Sequence, residues 1–313
     1  DMEAGIEGQL SRDFRSADIQ SAGQLDMSVL SAFLKPRLLD GILGFDLALD
    51  GPLNPTSVSG TLTLKDGVFE DQALTVKLDA LSATADFEGD QIELEATGVS
   101  DPDGQLALNA TLGFLKDDPG QFVPYALDYD VTVRDDGLVS RLARLPSKQA
   151  IDLDLEGRAS AEELSANVLL KSDGDRKLVG NARLATSEAD PSVRDFSVDL
   201  SADATEFLRQ SFVDLLGSDV LLKASGLLNG DNSVEVSALE LRSDSVRATG
   251  SAAISANLLP EMIVLDLDIS NSDGEPVVLP IPNLSASIGR ASVDLVFDPM
   301  SAGEWELNAS IEE

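Results

Sequence analysis

The side chains best equipped for chemistry in this sequence are carboxylates, and some recur at short spacing. Asp152 and Asp154 stand two apart in IDLDLEG, and Asp266 and Asp268 repeat that spacing in IVLDLDI. A pair of carboxylates is the acid and base, or acid and nucleophile, of glycoside hydrolysis. Asp101-Pro102-Asp103-Gly104 gathers two more in a turn, where oxygen ligands suit Ca²⁺. Such pairs, however, recur in nearly every stretch of the same texture, as a solvated surface does. The turn residues need no metal to explain them, and the twelve-residue EF-hand pattern is missing. The chain has neither His nor Cys. Imidazole acid–base catalysis, thiol nucleophiles, Ser-His-Asp triads and Cys or His metal sites are therefore excluded. We expect no enzyme, no metal and no cofactor.

The carboxylates are better understood through the elements that carry them. The 313 residues hold 56 acidic and 22 basic side chains, a formal charge of −34. A field of that sign repels phosphate backbones, so nucleic acid is not an expected partner. The acids are spread singly between apolar residues instead of forming a tail, which speaks against a disordered block. Apolar residues make up 43% and aromatic ones only 4%, so the buried surface must be mostly aliphatic. No apolar run reaches the ~18 residues of a membrane helix.

The dominant pattern is period-two alternation. Phe45, Leu47 and Leu49 alternate with Asp46, Ala48 and Asp50. The rhythm continues through Leu62 and Leu64, Val76 and Leu78, Ile92 and Leu94, Leu106, Leu108 and Leu112, then Leu127 and Val131. It recurs in IDLDLEG, LSANVLL, FSVDLSA, VLLKASG, IVLDLDI, ASVDLVF and WELNASI, where Trp305 reads as a packing residue. A strand buried on both faces would be a continuous apolar run, so these strands have one apolar and one wet face.

Turn residues punctuate the pattern at Lys65-Asp66-Gly67, Glu88-Gly89-Asp90, Asp101 to Gly104, Asp135-Asp136-Gly137, Ser172-Asp173-Gly174, Asn229-Gly230-Asp231 and Ser272-Asp273-Gly274. Between Leu74 and Phe87 the apolar positions switch from even to odd with no turn residue between them. A β-bulge near Ala80 is expected there.

Helical spacing is confined to residues 204–216, with Phe207, Leu208, Ser211, Phe212, Leu215 and Leu216 on one face, and to a short piece at 28–35. The longer helix carries Glu206, Arg209 and Asp214 and no basic face, so it reads as a joint between sheet segments and not as a membrane helix. Each helix leads into a strand closing at Gly51 or Gly226, a degenerate repeat that divides the chain into 1–203 and 204–313. Both ends stop in strand-like pattern, and the chain reads as an internal piece of a larger protein. The expected fold is all-β: an elongated, curved antiparallel sheet forming a taco-like groove, with an apolar interior and one or two short amphipathic helices.

The stretch from Leu38 to Phe114 resembles the TamB and AsmA-like family. It runs LLDGILGFDLALDGPLNPTSVSGTLTLKDGVFEDQALTVKLDALSATADFEGDQIELEATGVSDPDGQLALNATLGF. The resemblance is carried by Gly51-Pro52-Leu53, Pro55, the run Val58 to Leu64, Asp66-Gly67, the long strand with its bulge, and Asp103-Gly104-Gln105-Leu106. Phe207 to Ile254 is similar to the same family less closely. The resemblance implies a hydrophobic β-groove in the periplasm of a diderm bacterium, passing phospholipid between the membranes or aiding outer-membrane protein assembly. It also implies an inner-membrane anchor and a TamA-like outer-membrane barrel as partners, both engaged through regions outside this chain. Phospholipid acyl chains would then lie against Phe45, Leu47, Leu49, Leu62, Leu64, Val76, Leu78, Ile92, Leu94, Leu106, Leu108, Leu112, Leu127 and Val131. Two other readings stand beside this one: a scaffold that offers sheet edges to nascent strands by β-augmentation, and an extracellular stalk of closed β-sandwiches.

Overall fold

The computed structural model describes residues 3–31, 36–71, 73, 76–100, 104–114, 124–134, 137–142, 150–203, 205, 208, 210–271, 273–280, 286–299 and 304–312. The chain divides into two compact units, Asp1–Ala161 and Glu162–Glu313. The repeat boundary expected at 203/204 lies inside the second.

The first unit is an antiparallel meander of β1 (Glu3–Leu10), β2 (Ser16–Asp26), β3 (Arg37–Pro52), β4 (Val58–Asp71), β5 (Val76–Glu88), β6 (Gln91–Ser100), β7 (Gly104–Phe114), β8 (Pro124–Arg134) and β9 (Asp152–Ser160). Each strand pairs with the next in sequence. Helix α1 (Ser28–Ser31) interrupts the connection from β2 to β3, and α2 (Leu138–Leu142) the one from β8 to β9.

The second unit repeats the plan. Strands β10 (Glu163–Ser172), β11 (Asp175–Thr186), β12 (Arg194–Asp203), β13 (Asp219–Leu228), β14 (Val234–Arg242), β15 (Val246–Ile254) and β16 (Pro260–Ser270) pair in order. Helix α3 (Gln210–Leu216) joins β12 to β13. A separate hairpin, β17 (Val277–Leu279) with β18 (Ala286–Ile288), is inserted before β19 (Arg290–Asp298) and β20 (Glu304–Glu312), which complete the sheet. The protein is thus all-β, each unit's antiparallel sheet curved and not closed into a barrel.

Curvature is built in locally. Asp79 pairs with Val99 and Ser82 with Thr97, so two residues of β5 face the single Gly98. Ala80 there takes φ +49°. The bulge expected near this residue is present, and it turns Leu81, Ala83, Ala85 and Phe87 to the same side as Val76 and Leu78. It does not stand alone. Asp66 (φ +51°) bulges on β4, opposite Gly41 (φ +123°) on β3. Lys65-Asp66-Gly67, expected as a turn, is therefore a bulge inside β4. An Asp-Gly pair serves both, since each needs a residue at positive φ.

The turns at Glu88-Gly89-Asp90, Ser172-Asp173-Gly174 and Asn229-Gly230-Asp231 join strands as expected. Asp173 (φ +52°) and Gly174 (φ +86°) have the signs of a type I′ hairpin. Residues 101–103, 135–136 and 272 of the other expected turns lie outside the described residues, as do 32–35 of the first helix and 204, 206, 207 and 209 of the second.

Gly60 tests how tightly the ladder is drawn. It sits at φ +116°, and a Cβ there would lie 2.1 Å from the Asp46 carbonyl oxygen. Gly60→Ala is expected to cost roughly 1–3 kcal/mol in denaturant unfolding. Gly5→Ala, where a Cβ meets nothing closer than 3.9 Å, should stay within about 0.5 kcal/mol.

Candidate functional site

The strand registers assemble the alternating residues into rows that cross each sheet on one face. In the first unit one row runs Ile6, Ser21, Leu47, Gly60, Phe87, Ile92, Leu112, Leu127, Ala159. The next runs Phe45, Leu62, Ala85, Leu94, Ala110, Tyr129, Gly157, and a third Leu43, Leu64, Ala83, Ala96, Leu108, Val131, Leu155. Leu49 pairs with Val58 at one end, and Leu78 with Phe69 near the other. All fourteen residues singled out in the sequence lie on this face. Its charged members among the described residues are Arg37 and Asp71, paired at its border with Nε–Oδ2 2.9 Å.

The second unit has the same face, in rows such as Val168, Gly180, Leu200, Leu222, Leu241, Ala248, Leu267, Val293, Ala309. Trp305 belongs to it and stacks on Phe297, its cross-strand partner, with ring centroids 4.3 Å apart. That contact fits the packing role read for it.

These side chains are not a sealed core. Of the fourteen, Val76 is buried and the other thirteen keep partial solvent contact. A sandwich would bury such rows between two sheets about 10 Å apart. Here the fully buried apolar residues lie toward the rims of each sheet: in the first unit Ala17 and Phe114 at one rim, and the larger group of Val76, Val133, Leu138 and Ile151 at the other.

The rim with the larger group is where α2 lies. Leu138 (4% exposed) packs with Val76 (7%) and Val133 (4%), and Leu78, Leu106, Val139 and Leu153 surround them. Leu138 closes the space between strands as far apart in order as β5 and β9. Helix α1 packs on β3 at the same rim.

In the second unit α3 packs against β17. Its C-terminus is held by the β14–β15 turn: Asp244 N–H donates to Leu216 O (3.2 Å), and Ser218 N–H donates to Asp244 Oδ2 (3.3 Å). Val277 is completely buried, and Val246, Ala248 and Ala291 are buried along the rim. At the opposite rim Ala185 is buried at the end of β11, as Ala17 and Phe114 are in the first unit, and a 3₁₀ turn, Pro55–Ser57, lies in the β3–β4 connection.

Sequence reasoning missed the α2 plug and the β17–β18 hairpin. Leu138, Val139 and Leu142 sit at helical spacing after Gly137, but five residues are too few for a periodicity to register. If the plug is core and the rest of the face is open, the two should respond differently to truncation. Leu138→Ala is expected to cost about 2–4 kcal/mol, and Leu108→Ala about 1 kcal/mol or less, both read from chemical denaturation.

The opposite face is polar. Asp152, Asp154, Asp266 and Asp268 lie on it, in strands whose neighbouring positions face the apolar side. Arg158 Nε meets Asp128 Oδ1 at 2.6 Å, Arg290 Nη2 meets Asp268 Oδ2 at 2.7 Å, and Arg134 pairs with Asp154. Hydrogen bonds from Arg158 and Arg290 hold the Asp128 and Asp268 carboxyls below the usual range.

Two open hollows, ≈ 270 Å³ and ≈ 410 Å³, indent this face. Their charged members are already engaged, Arg134 with Asp154, Lys223 with Asp199 (2.8 Å) and Glu240 with Arg242. Among the described residues no cluster of acidic side chains is arranged to hold a metal ion.

Several acids face like charges directly: Asp18 opposite Asp50, Asp86 opposite Glu93, Asp130 opposite Glu156, Asp266 opposite Asp294. Such pairs destabilise a sheet. Asp266→Asn is expected to raise stability by about 0.2–1 kcal/mol at low salt. The gain should shrink in a melting series as NaCl screens the pair.

The chain matches no known family model, no curated protein and no solved structure.

Proposed function

We propose that this protein is a hydrophobic conduit for phospholipid, its apolar face receiving acyl chains as they pass between the inner and outer membranes of a diderm bacterium. The observation that carries the reading is the set of uninterrupted apolar rows that stay partly exposed across successive strands. Each CH₂ moved out of water is worth about 0.8 kcal/mol. Two acyl chains would therefore cost on the order of 20 kcal/mol to expose in transit. A carrier must replace that contact at every step, and a face with charge only at its border does so. Leu, Val and Ala give a wall without deep pockets, suited to a ligand that slides. The polar face keeps the sheet in solution.

The likeness of Leu38 to Phe114 to the TamB and AsmA-like family supports the same assignment, with a periplasmic location. Attachment to the inner membrane and to a TamA-like barrel would involve regions beyond this chain.

A second reading draws on the sheet edges. Among the described residues β1 pairs with β2 and β20 with β19, with no further strand paired on the other side of either, so each leaves backbone groups to receive one. That supports β-augmentation of client proteins.

Lipid and client are separated by one measurement. A photoreactive residue at Leu108 is expected to capture phospholipid, and one at Asp46, on the polar face, is not. Native mass spectrometry of the detergent-free protein should show bound phospholipid, and Leu108→Asp should remove it while the far-ultraviolet circular dichroism stays unchanged. Capture of polypeptide and no lipid by probes on β1 and at Leu108 would decide for the second reading.

A further inference from the structure

The β1–β2 connection, Ser11 to Arg15, combines features that the apolar face does not explain. Phe14 at its tip is 70% exposed and sits at φ +57°, a conformation unfavourable to a bulky side chain. Leu53 (51% exposed) adjoins it through a hydrogen bond from its N–H to Arg15 O (3.1 Å), and Leu10 (47%) lies at the end of β1. Arg12 and Arg15 flank Phe14, both exposed and neither in an ion pair among the described residues. Nine other basic side chains, by contrast, are paired with an acid: Arg37, Lys77, Arg134, Arg158, Lys177, Arg183, Lys223, Arg242 and Arg290.

The one acid in the loop does not meet the arginine heads. Asp13 Oδ1 accepts from the Arg15 backbone N–H (3.4 Å), while Ser11 Oγ accepts from the N–H groups of Arg15 (3.2 Å) and Ser16 (3.0 Å). The turn is thus held internally, and it presents an aromatic ring between two free guanidinium groups.

We propose that this tip is a membrane-contact site for a bilayer bearing anionic phospholipid. Phe14 and Leu53 would enter the headgroup–acyl boundary, while Arg12 and Arg15 pair with phosphates, which guanidinium groups match in a bidentate manner. The chain's overall charge of −34 opposes approach to such a surface at long range. At physiological ionic strength the Debye length is about 8 Å, so the groups within contact distance decide. A protein surface is the competing partner, but unpaired cations in so acidic a chain match phosphate better. The site does not rest on the conduit reading, because it lies in a loop and not on the sheet face.

The test is flotation of the whole 313-residue chain with vesicles, at physiological salt. Vesicles of phosphatidylcholine with phosphatidylglycerol should carry the protein up, and phosphatidylcholine alone should carry much less. The double change Arg12→Gln with Arg15→Gln should lower the bound fraction about tenfold or more. Phe14→Gly should lower it comparably while melting at no lower a temperature, because glycine is unstrained at this φ. Phospholipid copurifying with these variants should be unchanged, which separates the tip from the groove.

The proposal is overturned if the wild-type protein does not float, or if the variants float equally well. It is also overturned if Phe14→Gly unfolds the protein, or if a photoreactive residue at position 14 captures protein and no lipid.

Discussion

Everything in this molecule depends on strand register. A pleated strand sends successive side chains to opposite faces, so a slip of one residue exchanges the oily and the charged sides completely. Keeping one face free of charge across successive strands requires every pairing to preserve parity, or to correct it where it is lost. Leu43 with Leu64, then Ala83, Ala96, Leu108, Val131 and Leu155, shows parity kept. Ala80 and Asp66 show it corrected. Each spends a strained backbone conformation to restore the facing of the residues beyond it. The same bulges bend the sheet, so one local device both sorts the side chains and shapes the surface that they form.

The two faces hold together by different physics. The apolar side gains from contact between neighbouring strands even without a covering layer, since adjacent Leu and Val side chains shelter one another. The polar side tolerates acid against acid because it is solvated, and cross-strand arginines relieve some of that repulsion. Full burial is concentrated toward the rims, where Leu138 in one unit and Val277 in the other are removed from water, as is Phe114 at the opposite rim of the first. Open face and closed rim are thus parts of one arrangement.

How much of this could be read from the residues differs by feature. The two faces were legible because period two survives any uncertainty about which strands are neighbours. The bulge at Ala80 was legible because apolar parity that switches without a turn residue requires one extra residue in the strand. Lys65-Asp66-Gly67 misled because positive φ is shared by hairpins and bulges, and only the pairing partner distinguishes them. The α2 plug was invisible because its five residues owe their helicity to packing on Val76 and Val133, not to their own pattern. The division of the chain after Ala161 was hidden for a related reason: strand texture runs through it unchanged, and only contacts in three dimensions mark it. The open state of the face lay beyond sequence altogether, since alternation reads the same whether a second sheet covers it or not.

The meander has a further consequence for growth. Among the described residues α1, α2, α3 and the β17–β18 hairpin interrupt connections on one side of each unit's sheet, and on the opposite side a 3₁₀ turn, Pro55–Ser57, lies in the β3–β4 connection. A chain that doubles back twice returns to the side where it began. Inserting or deleting strands by the pair would therefore leave the margin that carries the α-helices where it is, whereas adding a single strand would move every later helix to the other margin. Evolution can alter the span of such a sheet in steps of two without redesigning either margin.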